Sequence, residues 1–202
     1  MRVLVFSAHP DDAEIGCGGT IAKYVSLGHT VRIVSSVVPN LPEVRLQESL
    51  EAARILGAEH QCLEIPPDEM IFNRAIVHRF DGAIADFGPD LILTHWAQDS
   101  HNDHRVVASA TVAATRKNTC SVYMYEQTIP GGITSNSFRA QKFIDISTCI
   151  ETKLESVKAH HSQMRNHGDL WLYGIRGRAQ YRGFQVMTRY AEAFEVIKDI
   201  ER

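Results

Sequence analysis

Short runs of apolar and β-branched residues recur along this chain, and each hands over to a segment with helical spacing. Arg2–Phe6, Val31–Val38 and Leu91–Thr94 are such runs. Their apolar residues stand largely side by side rather than alternating, which suits strands buried on both faces of a parallel sheet. Thr20–Leu27, Glu43–Leu56 and Asp103–Thr115 follow them with apolar residues at three- and four-residue intervals, as helices covering a sheet require. Parallel strands need crossovers of this length, and the crossovers have one hand. The alternation therefore predicts an α/β protein: a three-layer α/β/α Rossmann-like fold with a mostly parallel sheet.

The remaining segments extend the same pattern. Gln61–Ile65 reads as a short third strand closed by Pro66-Pro67. Glu69–Phe87 reads as a long helix, with Ile71, Phe72, Ile76, Phe80, Ile84 and Phe87 toward the core. Ser121–Tyr125 and Lys142–Ile146 read as strands, and Ala193–Ile197 as a last edge strand. The loop from Ile129 to Thr134 is placed to cover a pocket. A helix begins at Ser147-Thr148, where Thr148 and Glu151 have capping-box spacing. Ile150, Leu154, Val157, His161 and Met164 continue it as a packing stripe, which makes His160 and His161 structural. Arg165–Gly183 fits no pattern, and its Arg176, Arg178 and Arg182 read either as a solvated face or as contacts for an anionic substrate. No repeat, low-complexity stretch or linker interrupts the chain, so residues 1–202 read as one domain.

Composition narrows the function. A formal charge of −3 over 202 residues argues against a general nucleic-acid footprint. No apolar run approaches a membrane span, and the first residues lack a signal-peptide pattern. Cys17, Cys62, Cys120 and Cys149 are scattered without a Cys-x-x-Cys pair, as in a reduced, cytoplasmic protein. Cys17 lies in the first loop and reads as a small buried residue.

Chemistry concentrates in two loops that follow strands. The first is Ser7-Ala8-His9-Pro10-Asp11-Asp12-Ala13-Glu14, leading into Gly16, Gly18 and Gly19. The second is His101-Asn102-Asp103-His104. Both lie at the strand ends where open α/β sheets bind ligands. A dinucleotide site is disfavoured: Gly16-x-Gly18-Gly19 is not the phosphate fingerprint, and carboxylates stand where a pyrophosphate would approach. His9, Asp12 and His104 instead make a two-histidine, one-carboxylate set, suited to a catalytic zinc and also to iron(II). Asp11 could take a proton from water, His101 could stabilise an oxyanion and protonate a leaving amine, and Asp103 could orient an imidazole. Arg45 and Glu48 sit three residues apart near a helix start, a spacing that by itself reads as a surface ion pair.

These residues resemble the PIG-L/LmbE family of zinc-dependent N-acetylglucosaminide deacetylases. The likeness rests on Ala8-His9-Pro10-Asp11-Asp12-Ala13-Glu14 with Gly18-Gly19, and on His101-x-Asp103-His104. Arg45-x-x-Glu48 before Ala52-Ala53, Phe143–Ser147, Lys153, Ser162-Gln163 and Tyr190–Phe194 extend it over most of the chain. The resemblance implies His9, Asp12 and His104 as ligands of zinc or another divalent ion, and Asp11 as general base. It implies His101 as electrostatic stabiliser or acid with Asp103 behind it, and turns Arg45 into a substrate contact. The implied reaction releases acetate from the N-acetyl group of a small amino-sugar substrate. The alternatives are cleavage of a thiol–sugar amide and a metal site without catalysis. A homo-oligomer, possibly a hexamer, is implied on the same ground. Ser35–Asn40 lacks the glycine-rich segment of many relatives, so the likeness leaves the substrate's second half open.

Overall fold

The computed structural model describes residues 1–127 and 133–201. Its strands are β1 (Arg2–Ser7), β2 (Thr30–Ser35), β3 (Glu59–Cys62), β4 (Leu91–His95), β5 (Ser121–Tyr125), β6 (Lys142–Asp145) and β7 (Ala191–Lys198). They form one sheet in the order β3-β2-β1-β4-β5-β7-β6. β1 to β5 run parallel, and β7 runs antiparallel to both β5 and β6. The helices are α1 (Asp12–Ser26), α2 (Pro42–Leu56), α3 (Arg74–Phe87), α4 (Asn102–Ala114), α5 (Ile150–Lys158) and α6 (His161–Gln185). The expected α/β/α layering is present.

Consecutive residues of β1 serve opposite cores, because side chains of a strand alternate between faces. Val3 and Val5 join the core under α1, α2, α5 and α6. Leu4 and Phe6 join the core under α3 and α4, where the Phe6 and Phe80 rings lie 4.5 Å apart.

Several boundaries differ from the sequence expectation. α1 begins at Asp12, not Thr20, and bends at Cys17, whose φ is −144°. Gly18 and Gly19 therefore lie within a helix rather than in a loop. At Gly19 a Cβ would stand 2.6 Å from Ile146 Cδ1, so the glycine allows the helix to press onto the neighbouring segment. β3 starts at Glu59 because its register is set by pairing Glu59–Cys62 with Arg32–Ser35 of β2. α3 starts at Arg74, where the Asn73 side chain accepts from the Ile76 backbone N–H at 3.0 Å. Ile71 and Phe72 precede that cap and are 61% and 52% exposed, contrary to their expected core placement.

The C-terminal third differs most. β7 is not an edge strand; β6 is the edge, and β7 is buried over Ala191–Phe194 between two partners. α5 begins at Ile150 without a capping bond from Thr148. Ile150, Leu154 and Val157 are buried as expected, His161 is exposed and Met164 half-buried. The unassigned stretch is α6, interrupted at Gly168, where φ is +61°. It buries Trp171, Ile175, Ala179 and Gly183 at four-residue intervals, while Leu170, Tyr173, Tyr181 and Phe184 face outward. An apolar residue on every side hides the periodicity. Arg176, Arg178 and Arg182 of this helix bond to the protein itself: Arg176 to Glu151 at 2.8 Å, Arg178 to the Ile15 carbonyl at 2.9 Å and Arg182 to Glu126 at 2.6 Å. Residues 129–132 of the proposed covering loop lie outside the described residues. Among the described residues, no helix is long and apolar enough to cross a membrane.

Candidate functional site

β1 lies between β2 and β4, so the strand order reverses at β1 and β4. α1 leaves β1 toward one face and α4 leaves β4 toward the other. Such a switch point opens a crevice at the carboxyl ends of the strands. Both sequence clusters line it, because each lies in the connection that leaves one of these two strands.

His9, Asp12 and His104 converge there, with one potential ligand atom from each lying within 4.8 Å of the others. Asp12 is the hub. Its Oδ2 is 3.3 Å from His9 Nδ1, its Oδ1 is 3.4 Å from His104 Nε2, and Oδ2 also accepts from the His9 backbone N–H at 2.7 Å. Burial alone would push the Asp12 carboxyl up, but His104 and His95 and hydrogen bonds from His104 and His9 hold it well below the usual range. Burial likewise lowers the two imidazoles, yet His9 rises to about 9 through Asp103 and Asp12, and His104 to about 10 through Asp12 and Asp99. Positive charge is thus drawn to the point where the three side chains meet. Two imidazoles and a carboxylate around such a point are a donor set that a divalent cation fits.

Asp11 is buried and held in the left-handed region at φ 102°, a conformation that costs a non-glycine residue about 1–2 kcal/mol. Arg45 clamps that turn: one Nη donates to the Pro10 carbonyl at 2.8 Å and lies 3.4 Å from Asp11 Oδ2. Arg45 and Glu48 are not paired with each other. Both lie on the inward side of α2, and Glu48 accepts from the Ser162 backbone N–H at 2.7 Å and its hydroxyl at 2.6 Å. The surface reading of Arg45 fails because the turn after β1 offers a buried carbonyl and carboxylate in place of solvent. Burial and the Asp12 charge raise the Asp11 carboxyl to about 7, against the pull of His160 and Arg45.

The second cluster arranges its members differently from the implied roles. Asp103 does not sit behind His101; its carboxylate reaches His9 Nε2 at 3.0 Å. His101 caps α4, its Nδ1 accepting from the Asp103 backbone N–H at 3.2 Å, which leaves Nε2 to carry the proton. Burial and the neighbouring His104 and His9 push His101 down, toward the neutral form.

Three residues of the site were not singled out from the sequence. Asp99 Oδ2 lies 3.0 Å from His104 Nδ1 and orients that ring as an outer-shell carboxylate does. His95 stacks on His104 at 4.0 Å and accepts from the Ala8 backbone N–H at 2.9 Å through Nε2. That bond requires an unprotonated Nε2, and burial accordingly lowers His95 to about 4. The amide of Gln127 donates to Asp12 Oδ1. An acidic residue five positions before His104 is a usable signal for Asp99; His95 falls just past the predicted strand Leu91–Thr94, at the start of the loop, and Gln127 belongs to neither motif.

A cavity of about 320 Å³ opens over this centre, lined among others by Asp11, Arg45, His101, Gln163, His167 and Trp171. A larger one, about 540 Å³, lies at the opposite end of the strands around Pro89, Arg116 and Lys117, away from the histidines.

The family described as PIG-L: GlcNAc-PI de-N-acetylase matches residues 4–115. The chain belongs to the PIG-L family. That span contains both loops and Arg45. Diacetylchitobiose deacetylase of Thermococcus kodakarensis is 28% identical over 227 aligned positions, covering 98% of this chain and 84% of the relative. 4-Oxalmesaconate hydratase of Pseudomonas putida is 24% identical, over 90% of this chain and 80% of the relative. The crystal structure of the conserved protein TT1542 from Thermus thermophilus superposes with a TM-score of 0.85 at 25% identity, covering 99% of this chain and 96% of that one.

Proposed function

We propose that this PIG-L family member is a divalent-metal-dependent N-deacetylase. It removes acetate from an N-acetylglucosamine-containing small molecule and leaves a free amine. The observation that carries the reading is the meeting of His9, Asp12 and His104 at one point, beside a buried Asp11 whose carboxylate lies against Arg45. His9, Asp12 and His104 would hold the ion, zinc in the first instance. When bound, such an ion supplies Lewis acidity, polarising an amide carbonyl and acidifying water.

The chain's own groups account for the proton transfers. Asp11, fixed by Arg45 and raised toward neutrality by burial, accepts the proton of the attacking water. Arg45 acts through that clamp and, as a residue lining the cavity, as a substrate contact. His101 keeps a proton on Nε2 and donates a hydrogen bond to the developing oxyanion, while the proton Asp11 takes from water passes on to the leaving amine. Asp103 holds His9, and Asp99 holds His104. The 202 residues act as one catalytic domain. On the family resemblance we also propose a homo-oligomer working in the cytoplasm, checked by sedimentation and by cell fractionation.

The test is acetate release from a panel of N-acetylglucosamine conjugates by protein stripped of metal and reloaded with zinc. Zinc-dependent release is expected. Asp11→Asn should keep its zinc and lose about 10²–10⁴-fold in kcat, the usual worth of a general base. A panel that includes 4-oxalmesaconate separates this reading from the activity named for the hydratase relative. No acetate from any conjugate at confirmed metal content would sink the proposal.

A further inference from the structure

The two sides of the cavity differ in how their polar atoms are satisfied. On the histidine side, His9, Asp12, His104, Asp99 and Asp103 bond one another. The α6 side contributes Gln163, His167 and Trp171 at four-residue intervals. His167 is exposed and lies against Trp171, with ring centroids 5.0 Å apart and planes inclined by 50°. Trp171 is only 6% exposed, yet its Nε1 has no hydrogen-bond partner. Two further cavity residues carry buried polar atoms in the same state: Arg45 Nε, a donor, and Gln127 Oε1, an acceptor. A buried indole N–H ordinarily finds a partner, and each buried group left without one is costly.

We propose that His167, backed by Trp171, is the shelf on which the pyranose ring of the substrate lies. The proposal rests on the deacetylase reading and gives a role to the α6 side of the cavity, which that reading leaves without one. A pyranose presents C–H faces and hydroxyl edges. One C–H face can therefore pack on an aromatic surface, which the exposed His167 ring supplies to this cavity. The cavity's volume of about 320 Å³ stands at the small end of ligand sites, the scale of one sugar unit. The shelf is also held in register with the reacting centre. Glu48 grips the Ser162 N–H and hydroxyl at the start of α6, one turn of α2 away from the Arg45 that clamps Asp11. His167 and Trp171 are thus specificity-determining residues rather than members of the proton-transfer set.

The chain has two tryptophans, so Trp96→Phe leaves Trp171 as the sole indole reporter. Fluorescence of the zinc-loaded Trp96→Phe protein should change saturably with glucosamine and not with N-methylacetamide. His167→Ala should weaken that saturation about five- to tenfold, the scale of one aromatic contact. In turnover, the same substitution in the otherwise unaltered chain should raise KM by a similar factor while kcat stays within about twofold, and His167→Phe should restore KM. Absence of saturable glucosamine binding, or an unchanged midpoint and KM in His167→Ala, overturns the shelf even if acetate is released. Saturable binding that His167→Ala weakens, with no acetate from any conjugate, supports the shelf and removes the deacetylase reading alone.

Discussion

α2 and α3 are both crossover helices between parallel strands of one sheet, and they bury opposite kinds of surface. α3 turns Ile76, Phe80, Ala83, Ile84 and Phe87 inward, an apolar stripe that could be read from its spacing. α2 turns Arg45, Glu48, Ser49, Ala52, Ala53 and Leu56 inward and leaves Val44 and Leu50 each 49% exposed. The difference follows from what each helix meets. α3 covers the middle of an apolar sheet face. The start of α2 meets the Pro10-Asp11 turn and the first turn of α6, whose carbonyl, carboxylate, N–H and hydroxyl groups have to be satisfied in the absence of water. One helix holds the fold together, and the other holds the site in place.

Substitutions that exchange these roles would break the comparison. The largest effect on stability is expected from Phe80→Ala, about 3–5 kcal/mol by chemical denaturation, with zinc stoichiometry and KM of the folded fraction unchanged. Altered zinc content there would mean that α3 also supports the site. Arg45→Ala should do the reverse. It removes the clamp on Asp11 and should lower kcat/KM by about 10²-fold, on the order of 2.7 kcal/mol, while the denaturation midpoint moves much less. Normal kcat/KM in that variant would return Arg45 to a packing role. Glu48→Ala leaves the Ser162 donors without their buried acceptor and should cost about 1–3 kcal/mol, read as a lower melting temperature, whereas Glu48→Gln should retain part of it.

Two smaller effects sharpen the contrast. Burial lowers His60 below its ordinary 6.5, so between the two values the unfolded chain binds more protons than the native one. Its contribution to stability is complete above 6.5 and is lost as the pH falls below that value toward the lowered native pKa. His60→Gln should therefore show a smaller drop in denaturation midpoint between pH 7.5 and 5.5 than the parent; an equal drop would assign the acid sensitivity elsewhere. Leu50→Lys should change stability by no more than about 0.5 kcal/mol, because that position faces solvent. A loss of core magnitude would mean that this face of α2 is covered.

What could be read from the sequence was whatever a local rule controls. Strand–helix alternation determined the layered α/β architecture, since apolar runs and helical periodicity each leave a short-range signature. Adjacency to strand ends determined where the chemistry gathers, and His9, Asp12 and His104 came together as their positions after β1 and β4 required. Only the tertiary structure decided the partners. It set Asp103 on His9 instead of behind His101, brought Asp99, His95 and Gln127 to the centre, placed β7 inside the sheet and turned Arg45 inward. Each of these depends on residues distant in the chain sharing one dry crevice. There a buried charge or N–H is matched to whichever polar group the fold brings within reach, and sequence spacing alone carries no record of that choice.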